Sequence, residues 1–382
     1  MNYNLTVIIP TLNESQVIER MIIQVAVILK KENLNGQILI VDDNSWDGTQ
    51  DIVRTMTMTY PNVSILVRHH DRGLSQSIVD GFHLEVDSCS PIFIVMDADG
   101  QHPAEKIPEL YQKIKEGDDI VIGSRYLDGG EIKNWSFTRK VVSWGATFLA
   151  RLFFPHITDP VSGFFAVKKS VVKDAPLKPQ GYKILLEILG KGHWKKVIEI
   201  PFTFGERMSG ESKLKPQTII EFQKQILDLA YYTVTHKEAP AYTEFSRMFK
   251  FMVVGMTGVI VNVGFLFIIT EGFGIYFMFS SLIAIEASIF SNYILNDIWT
   301  FGDITDNKYS WSERLIRFQM VSVMGVLINM STLYLLTTVF GLYYVIANLV
   351  GIALAFSWNF LVNRKFTWLK SEMAEEIIVN QP

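Results

Sequence analysis

Residues 95–103 read VMDADGQHP and follow the apolar run Pro91-Ile92-Phe93-Ile94, so a short buried strand ends by presenting two carboxylates, Asp97 and Asp99, one residue apart. At a separation near 4 Å two such charges repel by about 4 kcal/mol at an effective dielectric of 20, and a diphosphate brought alongside adds repulsion of that order. A divalent cation reverses the sign. Oxygen-only ligands at this spacing, with Gln101 available as a third, suit Mg2+ or Mn2+ shared with substrate phosphates. His102, next in line, reads as a packing or capping residue rather than a ligand.

Such a corner has to be built by a sheet. Strand-like runs at 5–10, 37–42, 63–67, 92–96 and 119–122 alternate with helical patterns at 14–30, 48–59, 74–86 and 104–116, which predicts an α/β domain with a mostly parallel sheet. Ligands of such sheets sit beyond the carboxyl ends of the strands. There the sequence places Pro10-Thr11-Leu12-Asn13-Glu14 and Asp42-Asp43-Asn44-Ser45-Trp46-Asp47-Gly48-Thr49, with neither G-x-G-x-x-G nor G-x-x-x-x-G-K-[ST], so dinucleotide and P-loop readings are weak. Asp47 before Gly48 reads as a turn former or helix cap.

The 382 residues are enough for two or three domains, at roughly 150 residues each. A net charge of -4 provides no bulk drive toward nucleic acid, so an anionic partner must be held by local clusters. The single cysteine, Cys89, excludes an intramolecular disulfide and reads as a buried, inert thiol facing a reducing compartment. The 49% hydrophobic content is unevenly placed. Residues 1–235 mix charged and apolar stretches, whereas 248–364 contain long runs almost free of charge. No signal peptide is expected ahead of Leu5-Thr6-Val7-Ile8-Ile9, and the first half is expected in the cytoplasm.

Apolar stretches at about 248–270, 275–298, 317–340 and 342–363 each reach the roughly 20 residues that cross a bilayer as a helix. Arg247, Phe251, Val254, Gly258, Asn262 and Leu266 recur as Arg314, Phe318, Val321, Gly325, Asn329 and Leu333, and Asn292, Asn296 and Thr300 recur as Asn359, Asn363 and Thr367. The offset is constant at 67 positions, as in 325 − 258. A duplicated helical hairpin is expected, its copies sharing one orientation. Lys and Arg flank the ends at 247–250, 308–317 and 364–370 and are missing from the other two connections, which predicts cytoplasmic termini. Asn262 and Asn329 are expected to face the bundle interior; Glu286, a carboxyl inside the second span, is expected to be neutral or to line a wet cavity.

Seven stretches together resemble one family: 10–14, VDDNSWDGT at 41–49, DADGQHP at 97–103, GSRY at 123–126, DPVSGFFAV at 159–167, GYKILLEIL at 181–189 and PFTFGERMSGESKL at 201–214. They look like the inverting GT-A glycosyltransferases of the dolichol- or polyprenyl-phosphate mannose synthase family, over about residues 4–235, and the four spans resemble a GtrA-like membrane domain. The resemblance implies that Pro10, Leu12, Glu14, Val41 and Asp43 hold the base and ribose of a sugar nucleotide, and that Asp97, Ala98, Asp99 and Gln101 hold its diphosphate and metal. It further implies that Arg125, Arg139, Arg207 and Lys213 contact donor and acceptor phosphates, with Ser212 on the acceptor side. Leu12 stands where the family often has Tyr, and Gly100 where it often has Leu. The implied reaction moves mannose from GDP-mannose to polyprenyl or dolichyl phosphate. The alternatives are a UDP-sugar donor, or a lipid-sugar flippase made by the spans.

The chemistry needs little acid–base machinery, because a phosphate monoester is already largely ionised at neutral pH. Its acceptor lipid stays in the bilayer, since each buried CH2 contributes about 0.8 kcal/mol. Residues 133–154, with Trp135, Val141, Val142, Trp144, Phe148 and Leu152 apolar and Arg139, Lys140 and Arg151 basic, read as an interfacial amphipathic helix, and 217–234 as a second, with packing against the spans as the alternative to lipid contact. Residues 236–246 are expected as a linker and 371–382 as a disordered tail.

Overall fold

The first apolar run becomes β1 (Leu5–Thr11), every residue of which is buried, as a strand covered on both faces requires. The computed structural model describes residues 3–69, 73–86, 90–133, 135–178, 182–205, 216–236, 242–304 and 308–368. Its contacts divide the chain into two units, Met1–Tyr242 and Thr243–Pro382.

In the first unit β1 is followed by α1 (Ile18–Lys31), β2 (Gly36–Asp42), α2 (Thr49–Thr59), β3 (Val63–Val67), α3 (Leu74–Val86), β4 (Ile92–Val95), α4 (Ile107–Lys115) and β5 (Ile120–Ser124). Helix α1 shows the expected period, burying Ile18, Met21, Ile22, Val25 and Leu29 on one stripe. The chain continues through β6 (Glu131–Ile132), α5 (Phe137–Arg151), β7 (Phe165–Lys168), α6 (Lys169–Val172), α7 (Ile184–Lys191), β8 (Val197–Pro201), β9 (Thr203–Phe204) and α8 (Pro216–Thr235). The seven-stranded sheet has the order β3-β2-β1-β4-β7-β5-β8, parallel except where β7 runs antiparallel to β4 and β5. From β1 the chain goes outward to β2 and β3, then returns to β4 on the other flank. That reversal opens a crevice at the carboxyl ends of β1 and β4, where α/β sheets bind ligands.

Helices α5 and α8 are amphipathic. Val141, Trp144 and Leu149 of α5 are exposed, as are Ile220, Leu227, Tyr231 and Val234 of α8. Trp135 departs from the expected apolar face: it precedes α5, is half-buried, and sits edge-on to Phe204 at 5.4 Å.

The second unit contains α9 (Tyr242–Phe267), α10 (Phe277–Leu295), α11 (Trp311–Tyr334) and α12 (Tyr344–Val362). With a π-helical turn continuing each, they form four helices of 31, 24, 29 and 24 residues, long and apolar enough to cross a membrane. Residues 242–246, expected in a linker, are the first turns of α9; 237–241 and 369–382 lie outside the described residues.

The duplication is written into the backbone. The π turns Ile268–Gly272 and Asn296–Thr300 recur as Leu335–Val339 and Asn363–Thr367. Thr300 Oγ1 donates to Asn296 Oδ1 and Thr367 Oγ1 to Asn363 Oδ1, both at 2.7 Å. A β-carbon on Gly258 would fall 2.5 Å from the Asn292 amide, and one on Gly325 2.6 Å from that of Asn359, so each hairpin closes with glycine against asparagine. Asn329 faces the bundle, against Gly351 of α12. Glu286 lies on the outer face and accepts a hydrogen bond from Gln319 Nε2 at 3.1 Å.

Candidate active site

The loops after β1 and β2 latch to each other. Asn13 N–H donates to Ser45 Oγ, Trp46 N–H to Asn13 Oδ1, and both asparagines that turn the chain, Asn13 and Asn44, have positive φ (57° and 61°), which Asn tolerates best among non-glycine residues. Asp42 is consumed internally, accepting from Ser45 N–H and Oγ and from Gln50 Nε2. Asp47 takes the turn role expected of it, accepting from Ser15 N–H and from Thr49 N–H and Oγ1. Burial opposes its charge, but those bonds more than compensate and hold its pKa at about 2. Asp43 is oriented by Arg68 Nη1 at 2.6 Å and Gly73 N–H at 2.8 Å, and Arg68 also grips Asp80 and Ser77.

At the end of β4, Asp97 N–H donates to His102 Nδ1 at 2.9 Å, which leaves the ring proton on Nε2. The ring stacks on Phe164 and meets Phe202 and Phe204 edge-on. Burial, only partly offset by Asp97 and Asp99, lowers its pKa. His102 is the packing residue expected. Asp99 is buried and accepts from Gln101 N–H. Gln101 Nε2 donates to the Gly205 carbonyl at 3.0 Å, and its buried Oε1 has no hydrogen-bond partner among the described residues. The close backbone at Gly163 completes this corner, because a β-carbon there would lie 3.3 Å from Asp97 Oδ2.

These donors fit a divalent cation: two carboxylates and an unused amide oxygen, all hard oxygen ligands. Among the described residues no three His, Cys, Asp or Glu side chains gather as a metal cage; a cation here would be held by Asp97, Asp99 and Gln101.

Arg125 sits at the end of β5. Asp159 grips it fork to fork, through Nε at 2.7 Å and Nη2 at 2.8 Å, leaving Nη1 bonded to none of the described residues. Burial disfavours the cation, but Asp159 more than compensates, so its pKa is raised. Asp159 is itself positioned by Glu199 of β8, whose carboxylate accepts from the N–H groups of Thr158 and Asp159. Trp135 carries two arginines: Arg139 lies 4.1 Å from its ring and Arg125 5.6 Å.

One cavity of about 660 Å³ brings these groups together. Pro10, Leu12, Glu14 and Asp43 line one part, Asp97, Ala98, Asp99, Gln101 and Arg125 the middle, and Arg139, Ser143, Tyr182, Lys183 and Gln223 the part toward α5 and α8. Val41 is not among the lining residues; it is a fully buried strand residue. Arg207, Ser212 and Lys213 lie outside the described residues. Sequence reasoning missed Lys183, Trp135, Arg68, Asp159 and Glu199. Only the motif context of Lys183 and Asp159 pointed toward them; Asp159 and Glu199 act on residues far away in the chain.

Residues 6–175 match Glycosyl transferase family 2, and residues 250–368 match GtrA/DPMS, transmembrane domain. The fold and strand-end cavity are therefore those of a GT-A-like glycosyltransferase, joined to a membrane-spanning domain in an integral membrane protein. Over 366 residues the chain is 42% identical to a dolichol-phosphate mannosyltransferase of Pyrococcus furiosus, covering 95% of this chain and 99% of the other. The Saccharomyces cerevisiae enzyme of the same name is 36% identical over 202 residues, 50% of this chain and 74% of that one. An undecaprenyl-phosphate mannosyltransferase of Micrococcus luteus is 32% identical over 185 residues, 47% and 76%. Among solved structures, glucosyl-3-phosphoglycerate synthase from Mycobacterium tuberculosis with Mn2+, UDP-glucose and phosphoglyceric acid aligns with a TM-score of 0.44 at 16% identity, over 60% of this chain and 79% of that one. The chain belongs to the dolichol-phosphate mannosyltransferase family.

Proposed function

We propose that the protein transfers mannose from GDP-mannose to a polyprenyl or dolichyl phosphate, with inversion at C1, at the cytoplasmic face of the membrane. The observation that carries this reading is the single cavity running from the base-side loops of β1 and β2, past the Asp97–Asp99–Gln101 corner, to a cationic part beside α5 and α8. The full-length likeness to a protein named dolichol-phosphate mannosyltransferase supports mannose as the sugar and a polyprenyl-type phosphate as the acceptor.

Pro10, Leu12, Glu14 and Asp43 receive the nucleoside, with Arg68 fixing the Asp43 carboxylate. Asp97, Asp99 and the Gln101 amide oxygen would hold Mg2+ or Mn2+, which when bound offsets the charge of the diphosphate and of the nucleoside diphosphate as it leaves. Arg125, pre-set by Asp159, and Arg139, lying over Trp135, draw the acceptor phosphate toward the sugar. Arg207, Ser212 and Lys213 are assigned to the same phosphates. The acceptor oxygen needs no base, because it is already anionic. The exposed apolar residues of α5 and α8, among them Trp144 and Leu227, rest in the headgroup layer where the acceptor phosphate lies.

Membranes containing the protein, polyprenyl phosphate and labelled sugar nucleotides test the reading. GDP-mannose should yield an organic-soluble β-linked product that chelator abolishes. A product from UDP-glucose and none from GDP-mannose would overturn the donor assignment.

A further inference from the structure

We infer that Lys183 is a positioning cation for the acceptor phosphate, the third member of a set with Arg125 and Arg139 that selects a monoester dianion over a phosphodiester. The inference rests on the proposed lipid-phosphate acceptor and assigns it a residue that the reaction as derived above does not use.

Lys183 immediately precedes α7 and lines the cavity. Its carbonyl accepts from Gln225 Nε2 of α8 at 2.9 Å and from Leu186 N–H at 3.1 Å, so its backbone is tied at the end of the cavity that α5 and α8 wall. Its ammonium makes no hydrogen bond or ion pair to a described residue. Other lysines in this unit are committed: Lys191 to Glu187 and Asp228, Lys168 to Asp119. A half-buried ammonium placed among arginines and left without a carboxylate is costly unless an anion completes the group. Burial and then Arg125 push its pKa down to about 8; Asp97 and Asp159 act against that shift, and Arg139 adds to it. An arriving dianion stabilises the charged form, so binding above pH 8 must draw a proton onto Lys183.

A monoester dianion has two charges and three oxygens to share. Arg125 retains only part of its fork, since Nε and Nη2 serve Asp159. A third cation therefore supplies what a singly charged diester does not need.

The test uses the full-length protein in detergent with a short-chain isoprenyl monophosphate, the matching diester as control, and calorimetry in two buffers of different ionisation heat at pH 8.5. Wild type should bind the monoester with proton uptake. Lys183→Met should bind it about ten-fold or more weakly without that uptake, raise KM for polyprenyl phosphate, and leave GDP affinity and Tm unchanged; Lys183→Arg should restore binding but not proton uptake. Equal monoester affinity and equal proton uptake in wild type and Lys183→Met would overturn the role of Lys183 alone. A wild type that binds GDP but no isoprenyl phosphate would overturn the acceptor reading with it.

Discussion

The membrane-spanning unit and the cavity of the catalytic unit use charge differently. In the membrane-spanning unit charges are matched to one another. Arg314 holds Asp297 through Nε and Nη2, both at 2.9 Å. Glu244 bridges Arg247 and Arg364, and Arg247 also reaches Asp303. In the catalytic unit the cavity gathers Asp97 and Asp99 together with Arg125, Arg139 and Lys183, and Arg125 is bound fork to fork by Asp159. Internal matching makes a scaffold. A cavity that keeps charges of both signs side by side is what the proposed cation and phosphates require.

The repeat sharpens that contrast. Positions 297 and 364 are equivalent in the two hairpins, yet one is Asp and the other Arg. Asp297 can meet Arg314 directly; Arg364 would face Arg247, a like charge, and Glu244 lies between them. The aromatic pair Phe301 and Trp368, also equivalent, stacks at 4.2 Å across the same end of the bundle. Symmetry here is a packing solution, broken where charge demands it.

The largest expected effect follows from breaking the support of a charge that lines the cavity. Asp159→Asn leaves Arg125 buried and weakly held, and transfer should fall about a hundred-fold or more while vesicle insertion is unchanged; initial rates on intact vesicles check this. Breaking a matched pair should do the reverse. Arg314→Met strands the Asp297 carboxylate and should cost the spanning unit about 3 kcal/mol, seen as a lower Tm, with kcat of the folded fraction near wild type. Gly258→Ala and Gly325→Ala should each destabilise by about 1–3 kcal/mol and by similar amounts, because each meets an equivalent asparagine; unequal costs would show that the hairpins are not equivalent in solution. The smallest effect is expected from Trp144→Ser on the exposed face of α5, a several-fold loss of rate on vesicles and little change with a soluble short-chain acceptor.

Much of this was legible in the sequence because the signals are local. The strand runs end in their own loops, so Asp43, Asp97, Asp99 and Gln101 could be placed at one sheet edge before their contacts were known. The duplication was visible as a constant offset, and the π turns and Asn–Thr pairs follow it. What was hidden came from long sequence separations. Arg68 acts on Asp43, Asp159 on Arg125 and Glu199 on Asp159, and no periodicity announces such pairs. The helical spacing of its neighbours places Trp135 on a membrane-facing helix. The helix begins after it, and its ring turns to the arginines instead. Strand β7, lying antiparallel between β4 and β5, was hidden inside a motif read only for its resemblance.

The central claim is that a divalent cation at the Asp97–Asp99–Gln101 corner joins the protein to a nucleoside diphosphate. Titrating GDP into the full-length protein with and without Mn2+, in wild type and Asp99→Asn, measures this directly. Wild type should bind GDP tightly and only with the metal, and Asp99→Asn should lose the metal dependence at unchanged Tm. Equal GDP affinity with and without the metal, or a metal response that survives in Asp99→Asn, would contradict it.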